Sequence, residues 1–256
     1  MKYYLKDSFL HNAHEKNAGS KARNDVEAIL ISEGYEGLEL KVENWYKMNF
    51  FKAQQHKYRA TKSVFDQLGA GDELLIQFPI IHHTFFISQL IKQAQKRGVK
   101  FYLLIHDIET LRHAAGSEVK FRHKVRNYFQ EKKALMLVDG IIVHNDIMKN
   151  VLAGQGFPSD KMVSLEIFDY LIPDFQEKSL PQKDQPIIVA GNLNPAKSGY
   201  LYNLPEQPAY NLYGVGYDES RALKNTSYFG SFMPDDLPAA LEGSFGLVWD
   251  GDSSET

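Results

Sequence analysis

The residues of this chain that can do chemistry gather where short apolar runs stop. In Ile187 to Leu204, IIVAGNLNPAKSGYLYNL, three β-branched residues read as a strand buried on both faces, which Ala190-Gly191 is expected to break. Asn192, Asn194 and Pro195 follow, and Lys197-Ser198 places a cation and a hydroxyl where the chain turns into its next element. In an open α/β sheet a phosphate ligand sits at such a place. The same residues also read as an ordinary strand-to-loop turn with a surface lysine. Comparable ends carry Gly19-Ser20, His82-His83, His106-Asp107 and His144-Asn145. Ala18-Gly19-Ser20 reads equally as a helix cap. His82 and His83 have the right type for metal ligands, but no third ligand stands at a diagnostic spacing, so no metal site is assigned.

These ends need a scaffold, and the pattern of the chain supplies one. Tyr3 to Leu5 is a candidate first strand; Ala22, Val26, Ile29 and Leu30 then recur at helical spacing up to Gly34. Leu38, Leu40 and Val42 alternate as a second strand. A helix over 52–68 leads to the strand Glu73 to Phe78, and the loop 79–83 leads to a helix over 85–97 with Phe86, Leu90, Ile91 and Ala94 on one stripe. Val99 to Ile105 is the near-continuous apolar run of a central parallel strand. A basic helix over 121–134, a strand over 140–143, a short helix over 147–153 and a strand over 162–165 complete the series. Such alternation predicts βαβ units and a parallel sheet covered by helices.

Residues 166–186 contain three prolines and a charged run, and they interrupt the alternation. They are read as a linker between an N-terminal domain, 1–165, and a C-terminal domain, 187–256. The second series has strand candidates at 211–215, 228–230 and 246–249 and a short helix after Pro234. It stops just after a strand with no helix to cover it, so the second domain is expected to be incomplete and the chain a fragment.

With 29 basic and 32 acidic residues the net charge is -3, which gives no electrostatic reason to expect nucleic acid. Lys120, Arg122, His123, Lys124, Arg126, Lys132 and Lys133 nevertheless crowd one segment. That segment is either a solvated helix face or a patch for an anionic membrane surface. The absence of cysteine excludes disulfides, thiolate metal sites and a cysteine nucleophile. No apolar run approaches the ~20 residues that span a bilayer, and the N-terminus lacks the apolar core of a signal peptide, so a cytoplasmic protein is expected.

Four segments in order, NAGSKARNDVEAIL, FYLLIHDIETLR, AGNLNPAKSGYLYNLP and SFGLVWDGDS, resemble the bacterial glucosyltransferase 3-like and beta-1,6-galactofuranosyltransferase family across the whole chain. The resemblance implies a GT-B glycosyltransferase: two Rossmann-like domains facing a cleft, the second incomplete here. It also implies a UDP-sugar donor held mainly by the C-terminal domain, no cofactor, no obligatory metal and frequent homo-oligomers. Members of the family continue past the position of Trp249-Asp250-Gly251 with a lysine-containing segment and a glycine-rich helix start.

By this resemblance Gly19 and Ser20 meet the donor diphosphate from the N-terminal domain, at a helix start whose N–H groups favour an anion. Asn192, Asn194 and Lys197 meet it from the C-terminal domain, where the lysine would stabilise charge on the departing diphosphate. Gly214, Val215 and Gly216 pass close to the nucleobase; Tyr213 and Tyr217 beside them read as sheet packing or as stacking. An inverting transfer needs a base for the acceptor hydroxyl, and Asp107 and His106 occupy the end of a central strand where one would act. A histidine-aspartate pair there can also cap the next helix. The resulting expectation is a transferase moving galactofuranose, alternatively glucose, from UDP to a glycan or lipid-linked glycan acceptor, peripheral at the membrane through 120–133. A non-catalytic sugar-nucleotide-binding or partner subunit is the alternative from a different class.

Overall fold

The computed structural model describes residues 1–7, 18–80, 84–106, 132–166, 171–172 and 180–247. The chain divides into two units, one of residues 1–12 and 22–169, the other of 13–21 and 170–256.

The first unit carries six strands: β1 (Lys2–Asp7), β2 (Glu36–Leu40), β3 (Glu73–Phe78), β4 (Lys100–Ile105), β5 (Gly140–Val143) and β6 (Met162–Ser164). All pairs are parallel, in the order β2-β1-β3-β4-β5-β6. The chain moves outward from β1 to β2 and then returns to the other side of β1, so the order reverses between β1 and β3. Its described helices are α1 (Ala18–Ser32), α2 (Phe50–Phe65), α3 (Ile87–Gln95), α4 (Lys133–Leu137) and α5 (Asp146–Gly154).

Strand periodicity sorts the core into two layers. Leu74, Ile76 and Phe78, with Phe101, Leu103 and Ile105, and Ile141 and Val143, pack on one face together with α2 and α3. Leu75 and Leu104, joined by the half-buried Ile142, pack on the other face with Val26 and Leu30 of α1. The same alternation sends Gln77, His106 and His144, two residues further along β3, β4 and β5, toward the α1 face.

Local signals account for the element ends. Asn49 caps α2 by accepting from Lys52 N at 3.0 Å, and Asn145 caps α5 by accepting from Met148 N at 2.9 Å, each satisfying an otherwise orphan helix donor. The apolar stripe of α3 starts one residue later than the spacing predicts. Ile87, Leu90, Ile91 and Ala94 are buried, whereas Phe86 is half exposed at the helix N-cap with its ring 5.9 Å from Tyr58. Ala18-Gly19-Ser20 lies inside the first turn of α1 and not in a loop before it.

The second unit holds β7 (Ile187–Asn192), β8 (Tyr210–Val215) and β9 (Thr226–Tyr228), parallel in that order, with α6 (Leu237–Leu241) after a 3₁₀ turn at Pro234–Asp236. At the other edge of β7, Gly246 bridges Ile188 in parallel, with Ile188 N bonded to Phe245 O and Leu247 N to Ile188 O, both at 2.8 Å. The chain therefore crosses from β9 to the far side of β7, and β7 stands where the strand order reverses. Its core is small: Val189, Leu193, Leu201, Tyr202, Tyr210 and Leu212.

Candidate functional site

Two polar regions stand at carboxyl ends of strands beside points where the order reverses, the positions at which open α/β sheets bind ligands. The first is in the N-terminal unit and is built from buried side chains. Gln77, near the end of β3, places its amide oxygen 2.6 Å from His106 Nε2, just past β4, and donates from its own Nε2 to Arg23 O at 3.1 Å. Arg23, on α1, donates through Nη1 to Gln77 O at 3.2 Å and through Nη2 to Pro79 O at 2.8 Å. Both Gln77 and Arg23 are less than a tenth exposed. The His144 ring stands 6.4 Å from that of His106, edge-on. Burial above all, then the Arg23 guanidinium and His144, push His106 down to about 3, so the imidazole is neutral at physiological pH.

Around this network lie further buried ionisable groups. Asp7 ends β1, while Lys57 on α2 sets its ammonium 3.7 Å over the Trp45 ring, a cation–π contact that offsets part of its lost hydration. Burial lowers the pKa of Lys57, and the nearby Asp7 carboxylate acts in the opposite sense. Glu27, one turn beyond Arg23 on α1, is pushed up to about 7 by burial, against the attraction of Lys6 and Arg23 and with added repulsion from Asp7. Sequence reasoning missed Arg23, Gln77 and Lys57. One signal was present, since Gln77 is a polar residue one position before the end of the otherwise apolar run LLIQF.

The second region is the loop after β7, and it is shaped by backbone. β7 does not break at Ala190-Gly191 as its sequence suggests; it runs on to Asn192, with Gly191 paired to Gly214 and Asn192 to Val215. Two glycines facing each other let the strands approach closely: a Cβ at Gly214, whose φ is +152°, would lie 1.8 Å from Gly191 O. Asn192 Oδ1 then accepts from Asn194 N at 3.0 Å, and Asn194 Oδ1 accepts from Ala196 N at 2.9 Å. Lys197 N and Ser198 N both donate to Asn194 O at 2.8 Å, and Ser198 Oγ donates to Asn192 O at 2.6 Å. These asparagine turns satisfy the loop internally and leave its surface rich in donors, the side-chain amides of Asn192 and Asn194 and the exposed ammonium of Lys197. Gly216, with φ +83°, passes so near that a Cβ there would be 3.3 Å from Asn194 Cα. Asn192, Asn194, Gly214, Val215 and Gly216 are thus brought together, with Lys197 on the same short loop.

The neighbouring tyrosines are packing residues. Tyr213 stacks on Phe229 with centroids 4.9 Å apart, and Tyr217 lies parallel to Tyr202 at 5.7 Å and meets Tyr228 at 5.2 Å. The loop enters a 3₁₀ turn, Gly199–Asn203, because Pro205 holds Leu204 in an extended conformation and stops any longer helix. Gly19 and Ser20 are backbone of the first turn of α1. Asp107, His82, His83 and the basic residues at 120–126 lie outside the described residues. Of the basic segment, Lys132 and Lys133 are described, the first with its ammonium 5.8 Å from the Phe157 ring. Among the described residues no cluster of three or more His, Cys, Asp or Glu could hold a metal ion, and no helix is long and apolar enough to cross a membrane.

The profile described as glucosyltransferase 3-like, N-terminal domain, matches residues 2–167, and that described as glucosyltransferase 3-like, C-terminal domain, matches residues 187–256. The chain belongs to the glucosyltransferase 3-like family. A relative, the beta-1,6-galactofuranosyltransferase WbbI of Escherichia coli strain K12, is 32% identical over 266 residues, covering 99% of this chain and 69% of that protein. Among solved structures, a lipopolysaccharide outer core galactosyltransferase, WaaB, in its apo form superimposes with a TM-score of 0.55 at 10% identity, over 96% of this chain and 72% of that one. HepE of Anabaena, solved with UDP and glucose, gives 0.54 at 11% identity, over 95% and 72%. This glucosyltransferase 3-like chain therefore has the GT-B glycosyltransferase fold, and its class of activity is glycosyl transfer.

Proposed function

We propose that this protein transfers galactofuranose from a UDP donor to a hydroxyl of a glycan acceptor in the synthesis of a cell-surface polysaccharide. The observation that carries the reading is the loop after β7: at a reversal of strand order it offers the amides of Asn192 and Asn194 and the ammonium of Lys197, a donor set suited to a diphosphate. The choice of galactofuranose is supported by the relationship to a beta-1,6-galactofuranosyltransferase at 32% identity. Glucose is the second reading, favoured by the family's description and by HepE, solved with UDP and glucose.

In the proposed reaction an acceptor oxygen attacks the anomeric carbon as the bond from that carbon to the diphosphate oxygen breaks. The electron pair leaves with UDP, and Lys197 stabilises the charge that builds there. Asp107 takes the acceptor proton. His106, whose imidazole is neutral down to about pH 3, is the alternative acceptor of that proton. Contact of segment 120–133 with an anionic membrane, and self-association, belong to the same proposal.

The test is donor competition: the protein is incubated with UDP-galactofuranose and UDP-glucose at equal concentration, and UDP release and sugar incorporation are followed by mass spectrometry. Preferential consumption of the furanose donor is expected. Preference for UDP-glucose would replace the donor assignment, and binding of UDP without turnover of either sugar would make the chain a sugar-nucleotide-binding subunit.

A further inference from the structure

The carboxyl ends of β3 and β4 hold more than a candidate base. His106 Nε2 meets the amide oxygen of Gln77 at 2.6 Å, and that amide is itself oriented. Its nitrogen donates to Arg23 O at 3.1 Å, which turns the oxygen toward the imidazole. An amide oxygen only accepts, so the short contact requires a proton on His106 Nε2. Arg23 secures the arrangement from the opposite direction, since its guanidinium bonds Gln77 O at 3.2 Å and Pro79 O at 2.8 Å and so holds the backbone that carries the amide. Each of these groups faces the same side of the sheet because Gln77 and His106 follow the alternation of Leu75 and Leu104 toward α1. A neutral imidazole has one N–H. With that proton on Nε2, the lone pair is on Nδ1.

We propose that Gln77, locked by Arg23, is a positioning residue that fixes His106 as its Nε2–H tautomer, with the lone pair on Nδ1. This rests on the assignment of His106 to the proton-accepting end of the site. Gln77 touches no reacting atom; it acts through the histidine, as a second residue does when it sets the tautomer of a ligand or base. The mixture of tautomers that an exposed imidazole adopts would present the lone pair on Nδ1 only part of the time.

The experiment is nitrogen NMR of protein labelled with ¹⁵N-histidine, with the His106 signals identified by their loss in His106→Gln. The wild-type ring is expected to show protonated Nε2 and unprotonated Nδ1. Gln77→Leu should convert this pattern to a mixture or to the Nδ1–H form, with turnover lowered by about tenfold or more while the KM for the donor stays within about twofold. Gln77→Glu keeps an accepting oxygen beside the ring, so Nε2 should stay protonated. A wild-type ring protonated on Nδ1 overturns the proposal without any variant, as does an unchanged Nε2–H pattern in Gln77→Leu. A changed pattern with wild-type turnover retains the positioning role and removes His106 from the reaction, so the two assignments fail separately.

Discussion

The strand ends of the two units solve one problem by different means. In the N-terminal unit, the buried side chains of Gln77, Arg23 and His106 are held by bonds to one another and to backbone carbonyls, and burial keeps His106 neutral. In the C-terminal unit, the loop after β7 is held by asparagine turns and by a glycine-to-glycine strand contact, while its cation stays in solvent. Burial gives a fixed, electrically tuned constellation at the cost of desolvating each group. Backbone turns give a stable shape without that cost, and they leave Lys197 exposed on the loop surface.

The comparison breaks most sharply at the proposed base, Asp107. Asp107→Asn should lower transfer by about 10²- to 10⁴-fold, the range for loss of a general base, and leave UDP affinity nearly unchanged. Steady-state rates beside equilibrium titration check this, and a variant turning over at the wild-type rate would remove Asp107 from the reaction.

Next in size is the backbone of the C-terminal site. Gly214→Ala introduces a Cβ 1.8 Å from Gly191 O at a φ of +152°, so β7 and β8 must separate. Destabilisation of about 2–4 kcal/mol is expected, together with loss of UDP binding, by chemical denaturation and titration. Native stability in this variant would mean that the paired glycines do not shape the loop.

A smaller effect tests whether burial governs charge in the N-terminal unit. The folded pKa of Glu27, about 7, lies above its ordinary carboxylate value, so the folded state holds a proton that the unfolded state releases. Its contribution is fully present below the unfolded pKa and is lost as pH rises through about 7. Glu27→Gln removes the titration and should stabilise the protein by about 1–3 kcal/mol at pH 8 relative to wild type, with no gain near pH 4. Thermal denaturation across this range would contradict the account if the difference between the two proteins did not change with pH.

Much of the scaffold was legible in the sequence because it depends on local pattern. ELLIQF is β3 from its first residue to its last, and GIIV is β5, since apolar runs bounded by glycine and polar residues leave little choice of register. The strand-end placement of His106 and of the Asn192 to Ser198 loop followed from the same pattern. The partner of His106 did not, because Gln77 meets it only once β3 and β4 are paired, Phe78 beside Ile105, and both residues face α1. The extent of β7 was misread for a related reason. Gly191 looks like a strand breaker until Gly214 is placed opposite it. Interactions between distant segments have no period in the sequence, and these two sites depend on them.

The central claim is that the loop after β7 holds the donor's diphosphate, and Lys197 tests it most directly. A charge-assisted hydrogen bond from its ammonium to a phosphate oxygen is worth about 1.5–3 kcal/mol, so Lys197→Ala should weaken UDP binding by about tenfold to a hundredfold. Uridine lacks the phosphates and should bind both proteins equally. Calorimetric titration of UDP and uridine into wild type and Lys197→Ala is the measurement. The account predicts a loss confined to UDP; UDP affinity unchanged by the substitution, or reduced equally with that of uridine, would contradict it.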